Sequence, residues 1–410
     1  MTKPIITSLL DLDLYKLTMM QFAWRRYRDV RVTYELTNRT KKVRIADLVS
    51  PESVEAELDA ASRLTFTDEE ISYLASSAHI PPGRFKPDFL DYLSSARLSP
   101  ISVGTSNGQL TVQASGLWHE SILWETLILS IVNELYNREL AKRSGLTEKE
   151  ILREGDKRLS RKIELLANHP AIRITDFGTR RRYSGAWQRH VGIRLVRELG
   201  PQLAGISDVA LARELNIAPA GTFAHEMYMV LSRLFGDSDE AIRGSHNRVL
   251  REWWDEYGAS LSIALTDTYG SDFFFKDFTP EQADLWSSLR QDSGDPVALG
   301  ERAITFYAGL GIDPRQKRIV FSDGLDVETI ISLAEHFNGR IKTAFGWGTN
   351  LTNDVGFSPL SLVVKATRVN DLGTVKLSDN LAKAMGSPED IERFKQIFDY
   401  RNTERVECQS

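Results

Sequence analysis

Cysteine is nearly absent: a single residue, Cys408, stands close to the end of 410. One thiol excludes an internal disulfide framework and a cysteine-built zinc site. Long apolar runs are missing as well. None approaches the roughly 20 residues that cross a bilayer as a helix, so no membrane partner is expected. Positive charge is not in excess: 51 Lys and Arg face 56 Asp and Glu, a formal net charge of −5. That balance argues against nucleic acid as a partner and leaves small anions only where cations are gathered locally. The opening Met1-Thr2-Lys3-Pro4 carries no charged-then-apolar leader, so a cytoplasmic setting is expected. There is no G-x-S-x-G, H-E-x-x-H or Walker A loop.

What is present reads as globular. The length suits one large domain with a smaller one. Ser8 to Thr18 predicts the start of an amphipathic helix, Val30–Thr37 a strand, Pro51–Ala75 a helical stretch and Gln109–Ala114 another strand. Together they predict a mixed α/β domain over 1–120, joined by part of the segment 360–410. Ile122–Tyr136 is apolar nearly all round and predicts a buried helix; Glu148–Asn168 predicts a charged one. From residue 171 short apolar runs alternate with helical patterns. The strand candidates are Ile172–Asp176, Leu203–Ser207, Ile217–Ala220, Leu261–Asp267, Trp286–Arg290, Ile319–Ser322 and Ile341–Phe345. Helices are expected between most of them, for example over Arg180–Leu199, Pro296–Leu310 and Val327–Phe337. Such alternation implies parallel strands. The predicted fold over 121–359 is an irregular parallel (β/α) barrel carrying the active site, with an open doubly wound sheet as the alternative. Two further strands, Leu362–Thr367 and Thr374–Leu377, and a helix over Ser387–Phe398 complete the chain.

In a parallel barrel the site lies at the C-terminal ends of the strands. Those ends collect Asp176 to Arg180, Ser207-Asp208, Gly221-Thr222 with His225, Asp267-Thr268, Arg290 to Asp295, Ser322-Asp323-Gly324 and Gly346 to Asn350. Singly, each has a plain explanation as a cap, a turn or a solvated charge. Jointly they describe a site for several anionic groups around a sugar. His225 is expected in the first turn of a helix that Thr222 can cap, in a field that favours anions. Arg180-Arg181-Arg182 and Arg290 are candidate grips on phosphate or carboxylate. Gly346, Gly348, Thr349 and Asn350 can cradle a phosphate. Asp292, Asp295 and Asp323 suit ribose hydroxyls, or waters on a phosphate-bound magnesium ion.

These segments, together with Ser8-Leu9-Leu10-Asp11 and Lys376-Leu377-Ser378-Asp379-Asn380, stand in the order found in nicotinate phosphoribosyltransferases, which the chain resembles along nearly its whole length. The resemblance implies condensation of nicotinate with phosphoribosyl pyrophosphate, coupled to ATP hydrolysis, with magnesium required and a homodimer whose site lies at the subunit contact. It implies phosphorylation of His225, stacking of Tyr15 on the pyridine ring and nicotinate held by Thr222 and Arg290. Arg180 would line the site, and Thr349 would bind the 5-phosphate. Asp292, Ser322, Asp323 and Gly348 complete the expected site, with the metal ligands unassigned.

One departure bears on specificity. The family's usual Gly-Thr-Ser-Asn is here Gly205-Ile206-Ser207-Asp208. A carboxylate beside nicotinate would repel it, so Asp208 is expected to point elsewhere, capping the helix from Val209, or else the base preference has moved. Two rival functions follow: a phosphoribosyltransferase of the same fold for another base such as nicotinamide, and a non-catalytic nucleotide-binding paralogue.

Overall fold

The computed structural model describes residues 3–403, 405 and 406; Met1-Thr2 and Cys408 lie outside them. The chain packs as two compact units. One runs through Gly221 and takes back Trp347–Lys365; the other is Thr222–Gly346 with the stretch from Ala366. Among the described residues the strands are β1 Arg31–Asn38, β2 Ile101–Ser106, β3 Gln109–Leu117, β4 Ile174–Asp176, β5 Leu203–Ile206, β6 Ile263–Leu265, β7 Ser288–Gln291, β8 Arg318–Phe321, β9 Lys342–Trp347, β10 Leu362–Val369 and β11 Leu372–Gly373.

Five form an antiparallel sheet in the order β11-β10-β1-β3-β2. Sequence reading missed β2. The two-residue turn Asn107-Gly108, both with positive φ, joins it to β3 and is a strong hairpin signal. The other six follow the order β5-β4-β9-β8-β7-β6, with parallel pairing of β4 with β5 and along β6 to β9. The parallel β/α architecture is therefore present, but one candidate strand falls short. Of Ile217–Ala220 only Pro219 bridges, to Ile206, because a proline has no N–H to extend a ladder.

Several helix boundaries moved for local reasons. The first helix is Leu14–Arg26 rather than one opening at Ser8. The Ser8 hydroxyl instead accepts from Leu10 N at 3.0 Å. Pro51–Ala75 divides into Pro51–Ser62, capped by Ser50, and Asp68–Ser76, opened by a Thr67/Glu70 capping box. Arg180 lies in a short 3-10 turn, and the helix proper is Gly185–Leu199, capped by Ser184. Thr374–Leu377 keeps one bridge, Lys376 to Met385. The long helix Asp239–Tyr257 was not foreseen. Helix Trp124–Ser144 is buried on every side over its first three turns, as its composition predicts.

His119 shows how the N-terminal core responds to acid. Burial, with Arg28 nearby, lowers its pKa to about 4. The ring packs edge-on against Tyr92, with centroids 5.4 Å apart. An unfolded histidine takes up a proton near pH 6.5, so between about pH 6.5 and 4 the unfolded chain binds more protons and stability falls as pH falls. From pH 7 to pH 5 the loss is on the order of 1–2 kcal/mol once solvent screening is discounted. We expect the urea midpoint to drop from pH 7 to pH 5, and less steeply in His119→Phe. An equal drop in both proteins would refute the assignment.

Candidate active site

His225 immediately precedes the helix Glu226–Leu231, as its N-cap rather than in its first turn. That helix has six residues, all buried. Thr222 does not cap it: the hydroxyl donates to Leu261 O at 3.2 Å. The His225 ring is instead held by side chains. Nδ1 lies 2.9 Å from Thr268 Oγ1, and Nε2 lies 3.0 Å from Asp292 Oδ2 and 2.9 Å from Lys376 Nζ. One nitrogen serves these two partners only in turn: a protonated Nε2 donates to Asp292, a bare one accepts from Lys376. The Thr268 hydroxyl suits either tautomer, since it both donates and accepts. Burial and the Lys376 charge lower the His225 pKa to about 4, so the ring is neutral at physiological pH.

Asp267 Oδ1 stands 3.9 Å from His225 Nε2 and has no hydrogen-bond partner among the described residues. Its other oxygen accepts from Ser293 and, at 3.3 Å, from Ser378. His225, Asp267 and Asp292 offer ligand atoms within 4.8 Å of one another. Two carboxylates, one with an unused buried oxygen, suit magnesium, which takes one or two carboxylates and fills its shell with water and phosphate oxygens.

Arg290, at the end of β7, donates from Nη2 to Asp292 Oδ1 at 2.7 Å and from Nε to Ser322 Oγ at 2.9 Å. Burial works against ionisation of Asp292, but Arg290 and His225 overcome it and hold the carboxyl well below the usual range. Asp323 pairs with Lys383 at 2.5 Å, and burial still raises its pKa. Lys383 also donates to Asp292 O at 2.9 Å. Asp295 is a helix cap, accepting from Val297 N and Ala298 N. The structure thus gathers His225, Arg290, Asp292, Ser322 and Asp323 into one linked network, with Thr222 three residues before the histidine.

Tyr15, Arg180, Gly348 and Thr349 belong to the other compact unit. The Arg180 guanidinium lies 5.4 Å from the centre of the Tyr15 ring and pairs with Asp13 and Glu125 at 3.0 Å each. Glu125 also holds Lys16 at 2.5 Å and Lys365 at 3.1 Å. Three cations therefore gather around Glu125 beside an aromatic ring. Arg182, taken from sequence as part of an anion grip, is instead buried against the chain's own acids. Nη1 lies 2.6 Å from Asp11 and 3.3 Å from Asp208. The Gly348-Thr349 loop is pinned to the end of β4. Phe177 N donates to Trp347 O at 2.8 Å, and Thr352 Oγ1 donates to Gly178 O at 3.1 Å. A Cβ on Gly178 would sit 2.0 Å from Thr352 Oγ1, so only glycine permits this approach.

Asp208 caps the helix Val209–Glu214, accepting from Leu211 N at 2.8 Å, while its other oxygen meets Arg182. Burial and the neighbouring Asp11 raise its pKa. Ile206 is buried, and its backbone pairs with Ala218 and Ala220. Both of Asp208's oxygens are thus engaged inside the fold, and the departure from the family pattern gives no ground for a nicotinamide preference. Asp208→Asn keeps a good cap. We expect its ratio of turnover on nicotinate to nicotinamide to stay within about twofold of the parent, because an engaged cap adds little to base binding. A shift of tenfold or more would return Asp208 to the base site.

Sequence reasoning assigned no role to Asp267, Thr268, Lys376 or Lys383. The first three stand in segments that carry the family resemblance. Lys376 is 151 residues from His225, beyond any spacing argument.

The sequence model of the nicotinate phosphoribosyltransferase family matches residues 172–402, and that of its N-terminal domain matches residues 10–133. The structure is similar to a nicotinate phosphoribosyltransferase from Vibrio cholerae, with 34% identity, a TM-score of 0.88, and 98% of this chain and 95% of that one covered. It is also similar to the enzyme of that name from Porphyromonas gingivalis, with 32% identity, a TM-score of 0.86 and coverage of 96% and 100%. A putative nicotinate phosphoribosyltransferase from Saccharomyces cerevisiae shares 30% identity at a TM-score of 0.85, with 98% and 100% covered. With both sequence models matched in order and near-complete structural overlap, the chain belongs to the nicotinate phosphoribosyltransferase family.

Proposed function

We propose that the protein joins nicotinate to phosphoribosyl pyrophosphate, releasing pyrophosphate and forming nicotinate mononucleotide for NAD synthesis, and that ATP drives the reaction through a phosphate carried on His225. The observation that carries the ATP step is the neutral His225 ring with Nε2 beside an ammonium and a carboxylate. In that reading Nε2 attacks the γ-phosphorus of ATP, a nitrogen–phosphorus bond forms, and ADP leaves. Lys376 meets the phosphoryl charge, and water later frees inorganic phosphate.

The glycosyl step needs no enzyme nucleophile. As pyrophosphate departs, the pyridine nitrogen attacks an oxocarbenium-like ribose carbon, and catalysis rests on position and on charge at the leaving group. Arg290, fixed by Asp292 and Ser322, supplies charge for the nicotinate carboxylate, and the family resemblance assigns Thr222 to the same base. The cations around Glu125, next to Tyr15, suit a second anionic group, and Thr349 is assigned the 5-phosphate. Asp267 and Asp292 would hold magnesium, which when bound neutralises charge on phosphate oxygens. A homodimer in the cytosol belongs to the same proposal and rests on the family resemblance. No helix among the described residues is long and apolar enough to cross a membrane.

Pyrophosphate release measured with phosphoribosyl pyrophosphate, magnesium and each base in parallel, with and without ATP, tests the proposal. Nicotinate is expected to turn over and ATP to stimulate it. Turnover with nicotinamide alone, or with neither base, would overturn the assignment.

A further inference from the structure

Beyond the helix Pro388–Ile397 the chain returns along residues 378–380. Tyr400 Oη donates to Ser378 O at 2.6 Å, and Asn402 Nδ2 donates to Asp379 O. The Asn380 amide pairs with Val406 in both directions, donating to its O at 2.8 Å and accepting from its N at 3.1 Å. The Tyr400 ring packs against Gly270: a Cβ there would come within 2.9 Å of it. Residues 378 to 380 are thus held from outside, one after another, by the C-terminal segment.

The inner side of the same loop faces the histidine. Ser378, in a left-handed conformation with φ of 70°, places Oγ 2.8 Å from Ser293 Oγ and 3.3 Å from Asp267 Oδ2. Asp267 Oδ1 is 3.9 Å from His225 Nε2. Two residues before the serine, Lys376 Nζ reaches that same nitrogen at 2.9 Å. A non-glycine residue keeps such a conformation only where its surroundings hold it, and Tyr400 supplies one hold on the Ser378 backbone.

We propose that Tyr400 is a positioning residue: through Ser378 it sets where Asp267 stands relative to His225. The inference rests on the nicotinate reading for its kinetic test only. Displacement of charged groups by about 1 Å costs up to roughly 100-fold in turnover. Loss of one hydroxyl, with the ring retained on Gly270, shifts the loop by less than that.

Four proteins test it: the parent, Tyr400→Phe, Ser378→Ala and the double variant. Tyr400→Phe is expected to lower kcat by roughly 5- to 20-fold, with KM for nicotinate within about twofold. In the Ser378→Ala background the same change should cost less than about twofold, because the route is already broken. A kcat equal to the parent's, or equal losses in both backgrounds, would overturn the proposal. A second readout does not need turnover. Amide exchange at 376–380 should quicken in Tyr400→Phe, and the imidazole nitrogen resonances of ¹⁵N-labelled His225 should move. If the parent forms no nicotinate mononucleotide, the function assignment fails, and unchanged exchange and resonances would then separately refute the strap. Asn402→Ala, which leaves the ring in place, should quicken the same amides.

Discussion

Replacing His225 with alanine should reduce turnover measured with ATP to the rate measured without it. Label from γ-labelled ATP should no longer appear on the protein. Free-energy coupling between linked sites is commonly worth 1–3 kcal/mol, so the lost stimulation is roughly 5- to 150-fold. The reason is chemical. No side chain left in the network is a neutral nitrogen: Lys376 and Arg290 are cations, and Asp267 and Asp292 offer oxygen alone. Asparagine at 225 would occupy part of the ring's volume and satisfy Thr268 without accepting a phosphoryl group, so it should match alanine in ATP response. The comparison is steady-state turnover with and without ATP for the three proteins. ATP stimulation intact in His225→Ala would sink the phosphohistidine.

Glu125→Gln should be the most destabilising conservative change in the unit that contains it. The carboxylate is 1% exposed and receives Lys16, Arg180 and Lys365. Those cations hold its pKa far below the ordinary range although burial alone would raise it. Lys16 is fully buried, so neutralising Glu125 removes a carboxylate 2.5 Å from an ammonium in a low-dielectric setting. Breaking a buried pair from one side costs about 3–5 kcal/mol. The melting temperature of that unit should fall by roughly 5–15 °C. Lys16→Met in the same background should recover part of the loss, since the pair would then be replaced rather than broken. Calorimetry of the single and double variants decides it: a shift under about 2 °C in Glu125→Gln would show the cluster to be energetically idle.

Much of the candidate site was readable because its residues follow strands directly. Arg290 and Asp292 come off β7, and Ser322 and Asp323 come off β8, so a list of strand ends already contained them. Asp208 was readable as a cap, since its place before an apolar helix gives its carboxylate a local partner. Lys376, Lys383 and Asp267 were not assigned. Their roles come from packing between segments distant in the chain, and a lysine in a loop carries no periodic mark. Arg182, in the Arg180-Arg181-Arg182 run, misled for a related reason. Charge of one sign in sequence says nothing about the acids that meet it in space, and here Asp11, Asp13, Glu125 and Asp208 do so. Among the elements, Ile217–Ala220 looked like a strand by composition, and Pro219 prevented the ladder. The hairpin β2–β3 carried its turn signal openly and was overlooked.

The unit that begins the chain is completed only by Trp347–Lys365, which ribosomes make last among its parts. Until then Glu125 lacks Lys365, Lys162 lacks Asp354, and the carbonyl of Gly178 lacks Thr352. At bacterial or eukaryotic synthesis speeds, the 144 residues from Gly221 to Lys365 take about 7–30 s to appear. The nascent N-terminal half therefore spends that interval with its buried charges incompletely matched, which makes it a natural client for chaperones. For the same reason a fragment cut at Gly221 is a poor choice for expression, since it lacks every one of those partners.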